Sequence, residues 1–193
     1  MRRFFLTVLI VMALPLAAFG KIVPLFNQNG TLTASVTGIN LQSTLVQYSG
    51  IRGRDLGILT ITTGALLSGS LSGGGSFNFV GSSYVVTVNP GVLNNFSQGG
   101  VLFSGAFTAP ISWISLGSGN YELAGVVGGY WWYGQYGTGT TTQFYRGTFN
   151  SSGVFTATLG AGQSYINPEP GTLALFVSGL FGVAALAGRK LKL

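Results

Sequence analysis

The chain has 193 residues, 47% of them hydrophobic and only 6% charged, with no cysteine, no histidine and a formal net charge of +6. The absence of cysteine removes disulfides, thiolate zinc sites and cysteine nucleophiles, and the absence of histidine removes the commonest general base and metal ligand. The positive balance does not mark a nucleic-acid partner: Arg2, Arg3, Arg189, Lys190 and Lys192 sit at the ends, and apart from Glu169 the interior holds only Lys21, Arg52, Arg54 and Arg146 against Asp55 and Glu122.

From the beginning, Met1, Arg2 and Arg3 form a basic segment, residues 4–16 are apolar with Pro15 late in the run, and Ala18-Phe19-Gly20 offers small residues to a peptidase. This order predicts a secretory signal helix over 1–20, cleaved near Gly20. The apolar run is shorter than the ~20 residues that a spanning helix needs.

Residues 21–166 read as strands, because runs of Val, Ile, Thr, Phe and Tyr are broken at short intervals by Gly, Ser and Asn. Between 31 and 37 the alternation places Leu32, Ala34 and Val36 on one face and Thr31, Thr33, Ser35 and Thr37 on the other. Further strands are expected at 43–48, 57–63, 65–71, 76–80, 84–88, 101–108, 111–116, 121–127, 130–133, 140–146 and 154–159. No amphipathic helical period competes, and short hairpins favour an all-β exterior domain built as an antiparallel β-sandwich or barrel. The Gly/Ser-rich segment 68–76 carries no Gly-Lys-Ser/Thr and reads as a loose hairpin connection. Gly-small-Phe triplets at Gly75, Gly105 and Gly147 are irregularly spaced, which argues against a solenoid.

Catalysis finds little to work with. Glycoside hydrolysis needs two facing carboxyl groups, and Asp55 and Glu122 are the only pair outside the C-terminal motif. A serine nucleophile would lack a base other than Lys21, and no carboxylate cluster offers a calcium site. The expectation is therefore no enzyme, no cofactor and no metal. The one segment with binding character is Tyr130-Trp131-Trp132-Tyr133, with Tyr136 close by. In a strand, Tyr130 and Trp132 would face one way and Trp131 and Tyr133 the other, so that one pair enters the core and the other forms a flat platform for sugar rings. Gln135 and Gln143 would supply hydrogen bonds beside it. Thr-x-Thr pairs at Thr31/Thr33, Thr140/Thr142 and Thr156/Thr158 raise ice binding as a further class, but irregular spacing predicts no stacked array.

The far end reads Asn167-Pro168-Glu169-Pro170-Gly171-Thr172, then an apolar stretch, then Gly188-Arg189-Lys190-Leu191-Lys192-Leu193. Residues 172–188 rise ~25 Å as a helix against a hydrocarbon core of ~30 Å, a gap that snorkelling by Arg189 and Lys190 would cover. Basic residues at both ends predict that both lie on the cytoplasmic side, with the middle outside. Ala174, Ser178 and Gly182 give the helix one small-residue face. The order of Pro168, Glu169 and Pro170, an apolar helix and the stop charges Arg189, Lys190 and Lys192 resembles the PEP-CTERM sorting tail of bacterial exosortase substrates. Asn167 stands where the family often has Val. The stretch from Trp113 through Gln143 also looks like β domains of other sorting-tail proteins. The resemblance implies residues 167–193 as the sorting tail, an exosortase-type membrane enzyme as processing partner, and release from the inner membrane to the cell surface or matrix. The expected function is a structural or adhesive β domain that engages exopolysaccharide. The alternative is a carbohydrate-binding module with a defined aromatic site; ice binding and a minimal hydrolase are weaker readings.

Overall fold

Residues rich in β-branched and aromatic side chains, punctuated by glycine, form eleven strands: β1 (Val23–Ser35), β2 (Gly38–Tyr48), β3 (Ile51–Thr62), β4 (Leu66–Ser70), β5 (Gly74–Phe77), β6 (Ser83–Val88), β7 (Gly100–Phe107), β8 (Ile111–Gly117), β9 (Asn120–Trp131), β10 (Tyr136–Phe149) and β11 (Phe155–Pro168). This computed structural model describes residues 21–94, 96 and 98–169. The predicted signal helix, the helix of 172–188, the face of Ala174, Ser178 and Gly182, and Pro170, Arg189, Lys190 and Lys192 lie outside them. Among the described residues no helix is long and apolar enough to cross a membrane.

The strands pair antiparallel in the order β10-β11-β1-β2-β3-β6-β7-β9-β8-β5-β4, and β9 also pairs with β10, which closes the ring. Three pairs of elements are halves of longer strands. β3 lies against β6 where β4 lies against β5, β6 lies against β7 where β5 lies against β8, and β7 and β8 share one edge of β9. Hydrogen bonds such as Thr108 N–H to the Val126 carbonyl (2.9 Å) carry the ladder across the breaks. The result is an eight-stranded antiparallel barrel in which each long strand pairs with its chain neighbours and the last with the first. Of the two expected architectures it is the barrel and not the sandwich.

Strand stagger sets the bore. A path of direct partners from Leu32 through Leu41, Ile61, Tyr84, Gly105, Gly129 and Gly137 ends at Pro168, just past the residue that pairs with Val23. It has therefore slid from one end of β1 to the other, the tilt that eight-stranded closure requires. A barrel of that number has room for side chains or one small ligand, and here side chains fill it: Leu41, Ile61, Tyr84, Phe77, Phe103, Ile111 and Leu123 are fully buried. One end is capped by the β4–β5 hairpin. Trp113 Nε1 donates to the Leu71 carbonyl at 2.8 Å, Tyr121 OH donates to the Ser72 carbonyl at 3.1 Å, and the two rings stack at 4.8 Å.

The interior also holds a polar chain. Asn27 Nδ2 donates to Ser43 Oγ and Gln143 Oε1, Gln143 Nε2 to Thr141 Oγ1, Ser164 Oγ to Thr141 Oγ1, and Tyr84 OH to Ser164 Oγ, all at 2.7–2.9 Å. Each of these residues has at least one partner, which makes its burial tolerable, although Asn27 Oδ1 is buried without one.

Several local expectations change. The alternation from Thr31 holds through Ala34, but Val36 is exposed in the turn that follows β1. Residues 68–76 do form a hairpin, β4–β5. The segment 130–133 is no separate strand, since β9 runs from Asn120 to Trp131 and stops. Two Thr-x-Thr pairs do stack, Thr31 on Thr158 and Thr33 on Thr156, because register and not sequence spacing decides which residues meet.

Candidate functional site

The aromatic segment lies at the end of the barrel where β1 starts and β11 finishes, since Tyr136 pairs with Tyr130 and Gly137 with Pro168. β9 keeps its alternation through Trp131, whose ring enters the core. There the chain turns: Trp131 N–H donates to the Gln135 carbonyl at 2.9 Å and Gly134 N–H to the Trp131 carbonyl at 2.8 Å. Gly134 takes φ 81°, a left-handed conformation natural to glycine. Trp132 N–H donates to the Leu102 carbonyl at 2.9 Å, which ties the turn to β7.

The expected division into two facing pairs is therefore corrected. Trp131 alone is buried, at 2% exposure, while Tyr130 (60%), Trp132 (46%) and Tyr133 (48%) all face outward. The period of two ends with the strand, so Tyr133 need not follow Trp131 inward.

Each exposed ring leans on a neighbour. Tyr130 meets Tyr136 edge to face at 5.2 Å, Trp132 meets Phe96 at 5.3 Å, and Tyr133 lies parallel to Trp131 with centroids 6.4 Å apart. Trp132 and Tyr133 stand nearly perpendicular, at 86°. The surface is an aromatic corner and not a flat platform. Tyr48, from the far side of the ring, reaches Trp131 at 6.3 Å and helps to close the mouth. Burial pushes the Tyr48 phenol up, and the neighbouring Tyr133 adds to that; burial also raises Tyr133. Both are protonated donors at neutral pH, so neither offers a base.

Gln143 is not beside these rings. It points into the barrel, fully buried in the polar chain, and Gly162 opposite it has no room for a side chain because a Cβ would run into Gln143 Oε1. Gln135 contributes its carbonyl to the turn. Asp55 and Glu122 are not brought together: Asp55 on β3 accepts from Asn89 Nδ2 at 2.9 Å, whereas Glu122 sits on β9 between Ile114 and Phe144, with β6 and β7 intervening. Pro168 is the last residue of β11, held in the ladder opposite Gly137, and Glu169 follows it. The motif thus begins inside the barrel wall. Among the described residues no three His, Cys, Asp or Glu side chains group as metal ligands would. No protein-family model, curated protein or solved structure matches this chain.

Proposed function

We propose that this protein is an exported, non-catalytic envelope or matrix protein, processed through a PEP-CTERM-type tail by an exosortase-type enzyme, whose barrel adheres to exopolysaccharide. The observation that carries the adhesive part is the corner of Tyr130, Trp132 and Tyr133. These are three exposed rings braced from behind, on a barrel whose own interior is full. Apolar ring faces take the C–H faces of sugars, phenol hydroxyls take their oxygens, and the bracing lowers the entropy lost on binding. A filled bore turns binding to the outside. Pro168, the last residue of β11, lies at the same end.

Tryptophan fluorescence tests the reading cleanly. Of three tryptophans, Trp113 (1% exposed) and Trp131 (2%) are buried and only Trp132 faces solvent. Titration with the host's exopolysaccharide should shift emission and protect Trp132 from iodide quenching, and Trp132→Phe should abolish the response. An unchanged spectrum at saturating polysaccharide would remove the rim as an adhesive site. Mass spectrometry of both mature termini tests the processing: expected ends lie near Gly20 and close to Pro168-Glu169-Pro170, and an intact chain on the cell would refute it.

A further inference from the structure

The barrel wall carries a second feature, assembled only by register. Phe26 on β1 lies directly opposite Gln163 on β11 and Gln47 on β2, and Gln47 lies opposite Arg52 on β3. Four side chains separated by up to 137 positions in the chain thus form one rank across four strands of the outer surface. At the cross-strand spacing of ~4.8 Å the rank is roughly 14 Å long, the reach of a short oligosaccharide.

Three of the four, Phe26, Gln47 and Arg52, line a cleft of about 440 Å³ together with Gly162, and Gln163 follows Gly162 on β11 just outside that lining. The cleft exists because regular pairing fails here. Register slips fall at Phe26/Asn27 in β1 and between Leu45 and Gln47 in β2, and such bulges re-aim side chains. At Gly162 a Cβ would point into the bore and strike the amides of Gln143 and Asn27, so the residue adds no side chain to either face of the wall.

Its chemistry is specific in kind. Phe26 is held edge to face by Tyr165, with centroids 6.2 Å apart at 83°, so its ring is fixed for stacking. Gln163 Oε1 faces Tyr165 OH at 3.4 Å, a long contact. An amide on either side of an aromatic ring can both donate to and accept from sugar hydroxyls. Arg52 closes the rank. It is exposed and has no ion-pair partner among the described residues, while Asp55, three residues on, is engaged by Asn89. A free guanidinium fork at the end of a hydroxyl-reading row matches a planar carboxylate.

We infer that this wall groove binds an acidic glycan, with Phe26 stacking a sugar ring, Gln47 and Gln163 reading hydroxyls, and Arg52 pairing with a uronate carboxylate. The inference rests on the adhesive reading above only for the class of ligand; the surface is a different one, and it assigns the ligand a negative charge.

The test uses the full-length chain in detergent, with polygalacturonate and a neutral glucan as probes and calorimetry as readout. Polygalacturonate should bind and weaken as salt is raised, while the neutral glucan binds this groove more weakly. Arg52→Gln should lower polygalacturonate affinity roughly tenfold or more, as loss of a charged hydrogen bond does, and flatten the salt dependence. Arg52→Lys should recover part of it, since charge returns without the fork. Phe26→Ala should weaken both probes at this site, with unchanged melting and circular dichroism showing that the barrel is intact. Trp132→Phe should leave polygalacturonate binding as it was. Wild-type affinity in Arg52→Gln, equal affinity for the neutral glucan, or equal competition by polyglutamate would overturn the proposal. Loss of the Trp132 response alone would sink the rim reading and leave the groove standing.

Discussion

Gln143→Met replaces a fully buried amide by an apolar side chain of similar length at the centre of the interior polar chain. The substitution removes two bonds, Asn27 Nδ2 to Gln143 Oε1 at 2.7 Å and Gln143 Nε2 to Thr141 Oγ1 at 2.9 Å. Asn27 keeps its bond to Ser43, and Thr141 keeps its bond from Ser164, so neither neighbour is stripped completely. One N–H of Asn27 is nonetheless left unpaired in the buried interior, where an unsatisfied donor costs about 1–3 kcal/mol; the apolar gain of methionine offsets part of this. The expected net loss is about 2 kcal/mol, which for a chain of this size lowers the melting temperature by about 4–8 °C. Thermal and urea melts followed through the buried Trp113 and Trp131 would measure it, with the outward Thr140→Met as a control expected within about 0.5 kcal/mol of wild type. A Gln143→Met protein that melts at or above the wild-type temperature would show that the two amide bonds of Gln143 contribute no net stability.

Matched Trp→Phe substitutions should separate the two buried indoles. Trp113 Nε1 is bonded to Leu71, whereas Trp131 Nε1 is buried without a partner, so Trp113→Phe should cost clearly more than Trp131→Phe in a urea melt. Burial pushes the Tyr84 and Tyr145 phenols above the ordinary tyrosine range. Folded-state values raised above the unfolded value mean that stability is complete below about pH 10 and falls as pH rises beyond it, by about 1.4 kcal/mol per unit for each phenol until its folded value is passed. Absorbance at 295 nm should then show these two ionising together with unfolding, and ionisation in a folded barrel would contradict their burial. Ser49 and Ser118 hold φ of 46° and 54° before Gly50 and Gly119 in two-residue hairpin turns. Ser49→Asn should raise stability by a few tenths of a kcal/mol, because asparagine tolerates that conformation better; a lower melting temperature would count against the turn assignment.

All-β architecture was legible because glycine, serine and asparagine interrupt β-branched runs at intervals that only short antiparallel connections can bridge. Leu32 and Ala34 were readable as core from alternation alone. The aromatic segment was also readable as the chief binding candidate, but its division was not. Trp131 and Tyr133 share a face only while the strand continues, and the hydrogen bond from Trp131 to Gln135 ends it between them. Gln143 looked like a surface amide because polar residues usually are. What buries it is a set of partners, Asn27 and Thr141 among them, of which one lies 116 positions away.

By itself, then, the sequence determined local matters: strand content, most turn positions, the absence of histidine and cysteine, and the composition of the two ends. Closure into a barrel, the stacking of Thr31 on Thr158, and the rank from Gln163 through Phe26 to Arg52 were decided only by tertiary structure. The reason is that a strand carries a pattern of faces but no statement of which strand lies beside it or in what register. Register is settled by which shift fills the bore with Leu41, Ile61 and Tyr84, and the outer surface inherits whatever juxtapositions that packing imposes.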